Sequence, residues 1–105
     1  ADATLDASEA RAREAREQID AAVIAAWTGL QTARRVVDAS AARSAATAEA
    51  LRSVQLEAKV GAKPTLAVLD AEREATAADA AAIEAEGQRM VAAWQLNALA
   101  GQINP

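Results

Sequence analysis

The sequence predicts an all-α protein built as one long antiparallel two-helix coiled-coil hairpin, and three observations predict it. Alanine, the best helix former, supplies 33 of the 105 residues. Two extended tracts carry apolar or small residues at seven-residue spacing. Between those tracts, the run Val60-Gly61-Ala62-Lys63-Pro64-Thr65 places a helix-ending glycine just before a helix-starting proline.

The first helix is expected over about residues 4–60, where only Gly29 works against a helix. Leu5, Ala12, Ile19, Ala26 and Ala33 form one stripe. A second stripe, Val23, Leu30, Val37, Ser44 and Leu51, runs four positions along from it. Together they are read as a buried face wider than a two-stranded seam, giving this helix neighbours on two sides. The turn is expected at 61–65, with Gly61 in the left-handed position that closes a helix and Pro64 in the first turn of the next. The second helix is expected over about 66–100, with the stripe Leu66, Leu69, Arg73, Thr76, Ala80, Ile83, Gly87, Met90 and Trp94 until Gly101 and Pro105 stop it.

If the helices fold back antiparallel, facing residues have numbers summing to about 125, and three features agree with that register. The uncharged run Ala21 to Ala33 falls beside residues 92–104, which belong to the second uncharged run, Met90 to Pro105, and Trp27 comes near Trp94. Arg43 to Ala50 meets Ala75 to Ala82, where small side chains let helix axes approach closely. Leu56 meets Leu69 beside the turn. At 1.5 Å per residue the helices are roughly 85 and 54 Å long, which leaves about twenty N-terminal residues without a partner. A solitary hairpin buries little surface, so the pattern implies either more chain or more copies.

Composition narrows the function. Eleven basic against fifteen acidic residues give a net charge of -4, which disfavours nucleic acid and offers no basic stripe to anionic lipid. Cysteine and histidine are absent, which removes disulfides, thiolate metal sites and the commonest general base. Glu72, Glu74, Asp79, Glu84 and Glu86 lack the spacing of a calcium loop. No enzyme activity, metal or cofactor is therefore expected. Both uncharged runs are shorter than the roughly 20 apolar residues that span a bilayer. Arg11, Arg13 and Arg16 interleave with Glu9, Glu14 and Glu17 as on a solvated helix face, and Arg34 and Arg35 are expected in solvent. Only Trp27 and Trp94 are aromatic, and they are read as packing anchors at the end far from the turn. The chain begins without Met, in mid-helix pattern and with no signal-peptide composition, and it reads as a segment of a longer protein.

The segment VGAKPTLAVLDAE, Val60 to Glu72, resembles the periplasmic tip motif of the TolC-like outer-membrane efflux and secretion channels. Glu17 to Ala33, EQIDAAVIAAWTGLQTA, is similar to that family's long tunnel helix. Trp94 to Ile103, WQLNALAGQI, is similar to its Leu-rich closing segment. The resemblance implies that the chain is the tip hairpin of the second repeat, part of a trimeric α-barrel in the periplasm that belongs to an outer-membrane protein. The implied function is a tunnel segment for efflux or type I secretion. The implied partners are two further protomers, a periplasmic adaptor (membrane fusion) protein and, through it, an inner-membrane transporter. No segment alternates apolar and polar residues over about ten positions, so the family's membrane strands have no counterpart here.

By the same resemblance Asp70 stands at one of the family's entrance aspartates, while Ala67 occupies the place of the other. Lys63 replaces a turn arginine and is expected to help hold the tip closed. Gly61, Ala62, Pro64, Thr65, Leu66, Val68 and Leu69 are the implied adaptor-docking surface. Three copies of Asp70 around a narrow axis would concentrate negative potential and favour cations. Read without the resemblance, Asp70 is a solvated helix-start carboxylate three residues from Arg73, Lys63 is a turn lysine, and the tip is a well-made short loop. The alternative function is a soluble coiled-coil scaffold or adaptor hairpin that docks on a partner protein. The expected two-stripe first helix separates the readings, because a two-helix scaffold needs only one stripe.

Overall fold

The computed structural model describes residues 2–103, with side chains described for 2–101. It contains two helices, α1 (Asp2–Lys59) and α2 (Thr65–Ile103), and no strand among the described residues. Both helices run without a break across the positions that sequence alone treats as weak. Gly29 lies inside α1, and Gly101 lies inside α2 and does not end it. Pro105 and Asn104 lie outside the described residues. Backbone packing groups the chain into two units, Ala33–Arg89 and the pairing of Ala1–Thr32 with Met90–Pro105.

In the unit 33–89 the hairpin is antiparallel. Ser44 Oγ donates to Asp79 Oδ1 at 2.5 Å, and their numbers sum to 123, two short of the expected 125. Shallow grooves bring Val36, Ser40 and Ala33 alongside Glu84, Ala85 and Gln88, in the same register. The half-buried or buried positions of α1 here are chiefly Ala33, Val37, Ser40, Ser44, Thr47, Leu51, Val54 and Ala58. Those steps of four and three are the two lines of a single coiled-coil seam. This corrects the sequence reading: the two stripes expected to widen the face of α1 are the a and d positions of one seam, not two faces.

α2 differs more. Its covered line in this unit is Val68, Ala71, Ala75, Ala78, Ala82, Ala85 and Arg89, with Ala75, Ala78 and Ala85 buried and Ala78 fully so at 0% exposure. The expected stripe through Leu66, Leu69, Arg73, Thr76, Ala80, Ile83 and Gly87 is two residues out of phase, so it points away from α1 and is exposed, Ile83 at 74%. The physical reason is size. Alanine at the contact lets helix axes come to the near end of about 8–10 Å, whereas Leu and Ile would hold them apart. Leu56 and Leu69 do not meet: Leu56 borders a groove with Val68, while Leu69 lies along α2 with Arg73 and Thr76.

In the other unit, residues 2–18 of α1 are exposed throughout, in line with an expected unpartnered N-terminal stretch. The covered positions are chiefly Ile19, Val23, Ala26 and the buried Leu30 on α1, with Ala92, Leu96 and Leu99 on α2, and Ala22, Gln31, Ala93 and Ala100 are half-buried beside them. Trp94 borders a groove with Ala22, Ala25 and Ala26. The expectation that the tryptophans anchor the packing is not met, since Trp27 is 55% and Trp94 77% exposed. Ile19, Val23, Leu30, Leu96 and Leu99 fill the seam of this unit instead, and the indoles stay largely in solvent.

Candidate functional site at the hairpin turn

The turn is built by the α1 terminus. Gly61 adopts φ +78°, Ala62 N donates to Glu57 O at 2.8 Å, and Gly61 N donates to Ala58 O at 3.1 Å. These two bonds are the Schellman closure, which needs a residue in the left-handed region at the glycine position and satisfies two carbonyls that would otherwise be orphaned. Pro64 precedes α2 directly, where its missing N–H interrupts no helical hydrogen bond, and its carbonyl accepts from Ala67 N at 3.0 Å.

Each sequence-predicted site residue falls on or beside this turn. Gly61, Ala62, Pro64, Thr65, Leu66 and Leu69 are exposed, and Val68 is half-buried because it opens the α2 seam. Lys63 Nζ lies 3.9 Å from Glu57 Oε2, a loose ion pair with both groups about half exposed, so Lys63 is tied to its own hairpin. Asp70 is exposed on the first turns of α2. No ion pair forms between Asp70 and Arg73, although their spacing permits one. Asp70 thus points to solvent as a free carboxylate.

The structure also gathers residues that the sequence reading missed. Arg52, Gln55, Leu56 and Lys59 from α1 line an open groove with Thr65 and Val68 from α2. Arg52 is held by Glu49 at 2.5 Å, and no carboxylate lines the groove. The antiparallel register, which sets Leu56 near Val68, was the signal for this grouping. With Leu56, Val60, Leu66 and Leu69 all exposed around the turn, this end of the hairpin presents apolar side chains and three cations, Arg52, Lys59 and Lys63, in a chain of net negative charge.

Chemically the turn offers binding surface. Among the described residues no three Asp, Glu, His or Cys side chains gather as a metal site. No described helix is long and apolar enough to cross a membrane. No protein family, curated protein or solved structure matches the chain.

Proposed function

We propose that the chain is a periplasmic tunnel segment of a trimeric outer-membrane channel for efflux or type I secretion, with the turn as its entrance and adaptor-docking surface. The observation that carries this reading is the two-sided α2: one face is closed against α1 by alanine, and the opposite face keeps Leu66, Leu69 and Ile83 in the open. A helix that is apolar on opposite faces is made to be packed between neighbours, as in the wall of a helical barrel. The turn, closed by its Schellman bonds, and its exposed apolar rim support docking at that end, and the resemblance of Val60 to Glu72 supplies the family. Asp70, free of ion pairs, is available to line an entrance.

Photo-crosslinking tests this reading. A photoreactive residue at Ala62 or Thr65 of the parent protein in cells is expected to capture a periplasmic adaptor, and absence of any envelope partner at both positions contradicts the assignment. A second reading, a scaffold or adaptor hairpin that docks on a partner without forming a conduit, is favoured by one observation. The single seam of α1 is all that a self-contained hairpin requires.

A further inference from the structure

The outward line of α2 in the unit 33–89, Leu66, Leu69, Arg73, Thr76, Ala80 and Ile83, keeps the alternating steps of a coiled-coil seam with Arg73 as its one charged member, yet nothing among the described residues covers it. In that second seam the positions flanking the apolar line are Asp70, Ala77 and Glu84 on one side and Glu72, Asp79 and Glu86 on the other. Every charged flank is a carboxylate, and all five are exposed. Glu86 is engaged by Arg89 and Asp79 by Ser44, which leaves Asp70, Glu72 and Glu84 without a partner among the described residues. Flanking charges of this kind choose the partner of a coiled coil, because like charges across the seam repel and opposite charges pair.

A second copy of the chain fits poorly. Its α2 brings the same carboxylates against these. Within the unit 33–89 its α1 carries arginines but no apolar line on its outward side, where Val36 and Leu56 stand on different faces. We propose that this face of α2 docks a separate partner helix whose own apolar heptad line is flanked by lysine and arginine. In a barrel wall such a helix comes from another segment of the parent protein and not from a second copy of this stretch, and the inference on its chemistry stands whether or not the chain serves in a channel.

The test uses the 105-residue chain and two synthetic helices of about four heptads, both with Leu on the seam, one with Lys and the other with Glu on the flanks. Binding is read by calorimetry at low and high salt. The Lys-flanked helix is expected to bind at least about tenfold more tightly than the Glu-flanked one, with the preference shrinking as salt screens the flanks. Leu69→Ser with Ile83→Ser, two exposed positions, is expected to abolish binding while leaving the circular dichroism unchanged. Glu72→Gln with Glu84→Gln, which keeps the apolar line, is expected to remove most of the preference. Equal affinity for the two helices, no binding of either, or binding indifferent to Leu69→Ser with Ile83→Ser overturns the proposal. Self-association of the chain that is lost in the same double variant overturns it in favour of a second copy.

Discussion

Ser44 and Asp79, 35 positions apart in the chain, are joined by a 2.5 Å hydrogen bond, and among the described residues this is the one side-chain hydrogen bond between α1 and α2. The rest of the contact is alanine and short aliphatic side chains, which fix distance well and register poorly. One directional bond in an otherwise slippery seam therefore carries register specificity. Thr47 reinforces the site locally by donating to the carbonyls of Arg43 and Ser44, both at 3.0 Å.

Ser44→Ala and Asp79→Ala should each lower unfolding free energy by about 0.5–1.5 kcal/mol, the range for one exposed side-chain hydrogen bond. Urea titrations of both variants and of the double variant check this, and the double variant should cost less than the two singles added together.

The two faces of α2 should answer differently to the same enlargement. Ala78→Leu, at a fully buried position, should cost about 1–3 kcal/mol through overpacking, whereas Ala80→Leu, on the exposed line, should stay within about 0.5 kcal/mol. Chemical denaturation of the pair separates the alanine seam from the outward stripe.

Glycines in the turn and in the helix should also diverge. Gly61→Ala should destabilise by about 1–2 kcal/mol, because φ +78° is costly for a side chain with Cβ. Gly87→Ala, with open space around the added methyl, should stabilise by about 0.5–1 kcal/mol. Thermal melts followed at the helical signal report both signs.

On the proposed function, Asp70→Asn in the assembled channel should reduce cation preference and weaken block by multivalent cations, since the carboxylate is exposed and unpaired. Planar-bilayer recordings read the selectivity directly, and an unchanged reversal potential removes Asp70 from the entrance.

The hairpin, the turn at Gly61 and Pro64, and the meeting of Arg43 to Ala50 with Ala75 to Ala82 were legible because each rests on local chemistry or on heptad spacing. The buried face of α2 was not. Leu66, Leu69, Ile83, Met90 and Trp94 are the large apolar residues of the expected stripe, and the general tendency of such residues to be inside points to the wrong line. In a thin two-helix layer close approach decides instead, and it selects Ala75, Ala78 and Ala85. On α1 two stripes four residues apart were counted as two faces, although four and three alternate within one seam. At the turn the closure at Gly61 was legible, because a glycine ahead of a proline between two heptad tracts marks a left-handed helix end. The groove of Arg52, Leu56 and Lys59 was not, because it needs the exact register of the second helix.

Spin-label accessibility scanned along residues 68–89 of α2 tests most directly whether alanine closes the hairpin and leaves the large apolar stripe for a neighbour. Minima in accessibility to a polar relaxing agent are expected at Ala71, Ala75, Ala78, Ala82 and Ala85, repeating with the heptad, with high values at Leu69, Thr76, Ala80 and Ile83. Minima at Leu69, Thr76, Ala80 and Ile83, with the alanines open to solvent, would contradict it.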